Sequence, residues 1–170
     1  MELRKATMQD IPAIMEIIRE AQSYFKENEI NQWQNNYPNH STIEKDIENA
    51  YSYVLVDNNN TILATVSISF DSDTNYEQII NGSWLTNEAY AVIHRLAVKN
   101  TVKGQGISSI VLREIENMCH KNNIPSIKVD THEQNTSMQK LLQKNDFQYC
   151  GIIFVADQSP RVAFEKLISI

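Results

Sequence analysis

Ile11, Ile14, Met15, Ile17 and Ile18 recur at the spacing of one helical face, so the pattern predicts a first helix from Asp10 to about Gln22. Thr7, followed three residues later by Asp10, supplies a start signal, and Pro12 is tolerated in the first turn. A short strand, Leu3 to Lys5, precedes this helix. From Phe25 to Pro38 the chain is rich in Asn, Gln and aromatics, and the spacing of Ile30, Trp33 and Tyr37 predicts short helical turns that Pro38 stops. Ser41 and Glu44 form a capping-box pair for a second helix ending near Asn49. Tyr51 to Val56 and Thr61 to Phe70 are dense in β-branched and aromatic residues, and the polar Asp57-Asn58-Asn59-Asn60 between them predicts a hairpin.

Asp71 to Glu88 shows no period, although Trp84 offers an anchor for packing a loop down. Tyr90 to Val98 is apolar almost throughout, as a strand buried on both faces is. Ile107, Ile110, Val111, Ile115 and Met118 form the stripe of a third helix. Pro125 to His132 reads as a strand, Asn135 as the cap of a helix carrying Met138, Leu141 and Leu142, and Phe147 to Val155 as a further strand. Asp157-Gln158-Ser159-Pro160 turns the chain into a last strand, Val162 to Leu167, which as an exposed edge would suit a homodimer. The order β, α, α, β, β, β, α, β, α, β, β predicts a single α+β domain over residues 1–170.

Composition narrows the partners. With 42% apolar and 21% charged residues, the chain is that of a globular domain able to bury a core. Its net charge of −6 lacks the basic excess that non-specific binding to nucleic acid or an anionic membrane requires, and suits an amine better. Cys119 and Cys150 are too few for a disulfide framework, which favours a reducing compartment. Met1 to Ala6 carries no apolar signal region and no stretch reaches membrane-spanning length, so the expected setting is the cytoplasm. No metal site is read from the sequence.

Two of the four glycines fall within Lys103-Gly104-Gln105-Gly106-Ile107-Ser108, at the mouth of the third helix. Glycines let the backbone turn tightly and let a ligand approach its N–H groups, and a helix start adds unpaired N–H groups and a positive dipole end. The segment therefore reads as an oxyanion cradle suited to phosphates. A Walker loop is absent, because its Gly, four residues, then Gly-Lys-Ser/Thr spacing is not met. A dinucleotide fingerprint competes, with Asp130 ending the next strand, but Ser109 stands at its third glycine and five residues part Val98 from Gly104. A plain surface turn is the remaining reading.

Tyr90 to Val98, the loop Lys103 to Ser108, and the block Asp130 to Phe147 together resemble the GNAT superfamily of acetyl-CoA-dependent N-acetyltransferases, and Arg4-Lys5-Ala6-Thr7 with Asp10-Ile11 extends the likeness over nearly the whole chain. In the family's pyrophosphate motif, Lys103 takes the basic or amide position, Gly106 the central glycine and Ser108 the small final position. The resemblance implies a mixed, twisted, mostly antiparallel sheet with helices on both faces. It implies that the backbone of Leu96, Ala97 and Val98 pairs with the pantetheine arm of acetyl-CoA. The loop formed by Lys103, Gly104, Gln105, Gly106, Ile107 and Ser108 then receives the pyrophosphate, Asn135 contacts the cofactor, and the N–H of Val98 is the oxyanion donor. Gln32, Trp33, Tyr37 and Pro38 match a recurrent Gln-Trp…Tyr-Pro pattern in bacterial members, which implies a substrate-binding segment; core cover is the alternative for Trp33 and Tyr37. Two positions depart from the family: Leu142 replaces a tyrosine placed to protonate the CoA thiolate, and Asp146 replaces a glycine. The first departure keeps open a rival reading, a CoA-binding regulatory or interaction module.

His94 and Arg95 stand in an otherwise apolar strand, where an unpaired charge is costly. Arg95 needs a partner, for which Asp130 is the candidate, and His94 has the intrinsic basicity to accept an amine proton. His132 and Glu133 follow the next strand as exposed residues. Cys150, without an adjacent base, reads as packing rather than as an acetylated nucleophile.

Overall fold

The computed structural model describes residues 1–169. Elements follow one another as β1 (Glu2–Lys5), α1 (Ile11–Glu27), α2 (His40–Glu48), β2 (Ser52–Val56), β3 (Ile62–Ser69), β4 (Ala91–Val98), α3 (Ile107–Asn122), β5 (Ser126–Thr131), α4 (Thr136–Lys144), β6 (Gln148–Phe154) and β7 (Pro160–Leu167). The alternation matches the sequence pattern, and the class is α+β, with a mixed sheet in strand order β1-β2-β3-β4-β5-β7-β6. The chain forms two compact units, Met1–Ile68 with Arg95–Val111, and Ser69–His94 with Leu112–Ile170. No described helix is long and apolar enough to cross a membrane.

In the first unit, β1 pairs antiparallel with β2 through Leu3↔Leu55, and β2 with β3 through Val54↔Thr65. The hairpin turn is held by the Asp57 carboxylate, which accepts the N–H groups of Asn59 and Thr61. Ile14, Ile17 and Ile18 of α1 and Ile43 of α2 bury themselves with Val54, Val56, Ile62 and Ala97. α1 continues past Gln22 to Glu27 because Phe25 is itself buried and meets the Trp33 ring edge-on at 5.6 Å. The helical turns expected before Pro38 do not form. Glu29, Trp33, Asn35 and Asn36 take left-handed φ values of 56 to 58°, and such residues cannot propagate a right-handed helix. α2 starts one residue before Ser41, and its box joins Asn39 and Thr42 instead of Ser41 and Glu44. Asn39 Oδ1 accepts the Thr42 N–H at 3.1 Å and Thr42 Oγ1 accepts the Asn39 N–H at 3.2 Å.

In the second unit, β4 runs parallel to β5 from Ala91↔Ile127 to Ile93↔Val129, β5 lies antiparallel to β7, and β7 antiparallel to β6. The last strand therefore sits between two others and offers no dimer edge, contrary to expectation. The irregular Asp71 to Glu88 segment is pinned by polar contacts. Trp84 Nε1 donates to the Tyr76 carbonyl at 2.9 Å, and the fully buried Glu165 accepts the Leu85 N–H at 2.6 Å and the Ser126 hydroxyl at 2.5 Å. The Lys128 ammonium lies 4.4 and 4.1 Å from the ring centres of Trp84 and Tyr90, a cation held by aromatic faces. Burial lowers its pKa.

β4 is less buried than its composition suggests. Ala91, Val92, Ile93 and Ala97 are buried, whereas His94, Arg95, Leu96 and Val98 are half-buried. Along α3 the buried face is Ile107, Val111, Leu112, Ile115 and Cys119, with Ile110 and Met118 at its margins.

Candidate active site

The first unit holds the glycine loop. After β4 the Lys99 N–H bonds the Leu63 carbonyl and the Asn100 N–H bonds the Glu20 carboxylate at 2.7 Å, fixing where the chain leaves the strand. Gly104 and Gly106 both have φ of +77°, a region that L side chains rarely adopt. A Cβ added at either would meet no atom within 4 Å, so the glycines are required by backbone conformation, and the space before them is open. Ile107 is buried and anchors the start of α3, whose ladder opens with the Ile110 N–H on the Gly106 carbonyl. The first-turn N–H groups then have no intrahelical acceptor, as at any helix start. Lys103 stands beside the loop, its ammonium 5.1 Å from the centre of the Tyr24 ring. Glycines, helix start and lysine together suit a pyrophosphate.

Arg95 does not use Asp130. Its Nε and Nη2 donate to the two carboxylate oxygens of Asp46 at 2.7 Å each, and its Nη1 donates to the Tyr37 hydroxyl at 3.0 Å. Burial works against the charge, but Tyr37 and Asp46 raise the pKa of Arg95 above its ordinary value. Asp46 escaped sequence reasoning although a signal existed. It stands on α2 between Ile43 and Ile47, at the spacing of one face, where a carboxylate needs a buried cation.

Tyr37 and Asp46 also line a cavity of about 390 Å³ with Asn39, Ser41, Thr42 and Lys45. Of the three substrate-binding candidates, Tyr37 alone is on that wall. Trp33 packs on Phe25 and the first-unit core, so the core-cover reading describes its position, and the half-buried Gln32 is held in the turn by its N–H on the Ile30 carbonyl.

In the second unit, His94 Nε2 is 2.9 Å from Asp73 Oδ2. Asp73 Oδ1 also accepts the Asn75 N–H, and the Tyr90 hydroxyl accepts the Asp73 N–H at 3.2 Å. The hydrogen bond to His94 is the main cause holding the Asp73 carboxyl below its ordinary pKa. Asp130 instead accepts the Tyr76 hydroxyl at 2.7 Å, and the phenol, deeply buried beside this carboxylate, has its pKa pushed well up. Nothing in the sequence marked Asp73, which lies in a segment without a period.

Asn135 is buried, and its Oδ1 caps α4 by accepting the Met138 N–H at 3.1 Å. His132 is half-buried, its Nδ1 accepting the Gln134 N–H, while Glu133 is exposed. Cys150 is buried, and burial together with Glu165 pushes its thiol up to about 11. Among the described residues no cluster of three or more His, Cys, Asp or Glu is placed to hold a metal.

A sequence model of the acetyltransferase (GNAT) family matches residues 12–147. The chain belongs to the GNAT acetyltransferase family. A GNAT-family acetyltransferase from Streptococcus agalactiae is similar over 99% of this chain and 96% of its own, with 29% identity and a TM-score of 0.90. A putative acetyltransferase from Staphylococcus aureus, 24% identical, covers 99% of this chain and 100% of its own at a TM-score of 0.75. The PaiA N-acetyltransferase of Thermoplasma acidophilum, solved in complex with coenzyme A, shares the fold at 18% identity and a TM-score of 0.72, covering 98% of each chain. No curated protein sequence matches significantly.

As a GNAT protein the chain is an N-acetyltransferase, and its acetyl donor is acetyl-CoA. The glycine loop leaves room beside its backbone for such a donor, since a Cβ added at Gly104 or Gly106 would meet no atom within 4 Å. The departure at Leu142 is a core substitution, because that side chain is fully buried within α4.

Proposed function

We propose that the protein transfers the acetyl group of acetyl-CoA directly to a primary amine of a small molecule or peptide, without a covalent enzyme intermediate. The observation that carries this reading is the pair of left-handed glycines facing open space at the start of α3. Lys103 to Ser108 bind the pyrophosphate, the Leu96, Ala97 and Val98 backbone pairs with the pantetheine, and Asn135 contacts the donor while capping α4. Tyr37 lies on the acceptor side. Acetyl-CoA supplies an activated thioester, whose C–S bond breaks as the amine nitrogen bonds the carbonyl carbon and CoA leaves as a thiolate. The Val98 N–H stabilises the developing oxyanion. His94, held by Asp73, takes the proton that the amine nitrogen loses, directly or through one water. No side-chain acid is assigned to the leaving group: a thiol with a pKa of about 8.5 departs readily as thiolate near neutral pH.

The family match crosses both compact units, which supports treating residues 1–170 as one catalytic domain. Two buried cysteines without a disulfide support a cytoplasmic setting. The test is thiol release from acetyl-CoA by the purified protein against a panel of polyamines, amino sugars, amino acids and peptides. Turnover with at least one amine, and an N-acetylated product by mass spectrometry, is expected. Tight CoA binding with no thiol release across the panel would sink the catalytic reading.

A further inference from the structure

Arg95 is a long, charged residue inside a strand, yet its φ is +53°. Non-glycine residues hold the left-handed region only where their surroundings over-determine it, and such positions gather at functional sites. A single left-handed residue turns the backbone of an extended strand and so changes the direction of the residues that follow. The residues that follow are Leu96, Ala97 and Val98.

Arg95 is fixed by its side-chain contacts. Its guanidinium is gripped at both ends of the Asp46 carboxylate, at 2.7 Å each. It also donates to Tyr37 and, at 3.3 Å, to Ser67 Oγ on β3. Side-chain exposure is 16% for Arg95 and 10% for Asp46, so water competes little for the pair. A bidentate Arg–carboxylate pair fixes direction as well as distance, which a lysine or a single hydrogen bond would not.

We infer that Asp46 is a positioning residue for the donor strand: by clamping Arg95 it holds the left-handed turn at residue 95 and so sets the direction in which Leu96, Ala97 and Val98 present their N–H and C=O groups. The inference rests on the reading of Leu96 to Val98 as the pantetheine-binding backbone. It adds a coupling to that reading. Asp46 and Tyr37 line the 390 Å³ cavity, so on the proposed reading of Tyr37 as an acceptor-side residue the side chains that form its wall also hold the strand that receives the donor.

The test compares substitutions that break the clamp equally but differ in what backbone they allow. Arg95→Gly and Arg95→Val both leave Asp46 unpaired; glycine adopts a positive φ freely and β-branched valine does not. Calorimetric titration with coenzyme A, on variants shown to be folded by circular dichroism, should find Arg95→Val about tenfold weaker than Arg95→Gly. Asp46→Asn, which keeps one acceptor oxygen, should weaken coenzyme A binding in the Arg95 chain and leave it unchanged in the Arg95→Gly chain. Should Arg95→Val not fold, Arg95→Asn against Arg95→Gln carries the same comparison, since Asn tolerates the left-handed region. Equal affinity of the Gly and Val variants, or an Asp46→Asn protein that binds as the unsubstituted one does, would overturn the positioning role. Gly106→Trp separates this from the site itself. If that variant alone loses coenzyme A, the donor site stands and only the clamp falls; if it binds normally, the donor site lies elsewhere and both readings fall.

Discussion

His94 and Asp73 meet at 2.9 Å, Nε2 to Oδ2, across 21 positions of sequence, and the carboxylate is itself tied to the Asn75 N–H. In the proposed role of base, His94 is oriented by this contact before the amine arrives. His94→Ala is therefore expected to lower kcat/KM by about a hundredfold near neutral pH. The deficit should narrow at high pH, where free amine replaces ammonium. A pH–rate profile that is unchanged in the variant would return His94 to a structural role.

Asp73 also makes a stability statement. Its carboxyl is held below the ordinary value, first by His94 and then by the Asn75 N–H, against the opposing effect of burial. A depressed carboxyl contributes stability that is fully present above its unfolded pKa of about 3.9 and is lost as pH falls through the folded value. Asp73→Asn removes that titration. The difference in unfolding free energy between the unsubstituted protein and this variant should shrink as pH falls below about 4. A difference that stays constant to pH 2 would count against the linkage.

The clamp between Arg95 and Asp46 is nearly buried, so removing either partner strands the other. A loss of about 3–5 kcal/mol is expected from Arg95→Ala or Asp46→Ala alone. The double variant should lose far less than the sum, because the two side chains touch. Chemical denaturation of the four proteins gives the coupling directly; additive losses would refute the contact.

The elements were legible because their apolar period is strong: Ile14, Ile17 and Ile18 could sit on nothing but one helical face, and all three are buried. The glycine loop was legible because two scarce glycines precede a helix, and both take a positive φ that glycine adopts at no steric cost. What the sequence left dark was pairing. Asp130 stood at the right place in the order of elements to face Arg95, but a charge inside a strand finds its partner in three dimensions, and Asp46 on α2 and Tyr76 in the irregular segment took the two ends of that supposed pair. The Phe25 to Pro38 stretch misled because helical spacing of Trp33 and Tyr37 says nothing about backbone sign, and Asn35 and Asn36 occupy the left-handed region with ease.

Gly106 offers two separable effects. With φ of +77° and nothing within 4 Å of an added Cβ, alanine brings strain without a clash. Gly106→Ala should cost about 1–2 kcal/mol of stability. Gly106→Trp fills the open space as well, and is expected to abolish coenzyme A binding by calorimetric titration while the chain stays folded, since the loop residues around it are exposed. Undiminished affinity in the Trp variant would remove the loop from the donor site.

Transfer is expected to bypass Cys150. A cysteine nucleophile reacts as the thiolate, and this thiol is buried, pushed up to about 11 by burial and Glu165, so its ionised fraction near neutral pH is very small. Its sulfur donates to the Gln148 carbonyl at 3.4 Å, and a backbone carbonyl is too weak a base to take the proton. The amine, in contrast, needs no help beyond deprotonation and proximity to the thioester. Cys150→Ala should therefore keep most of its activity with any acceptor the amine panel identifies, and initial-rate patterns should intersect, as for a ternary complex, in place of the parallel lines of a ping-pong route. An acetyl-Cys150 adduct that is trapped by rapid quench and decays at the turnover rate would overturn direct attack.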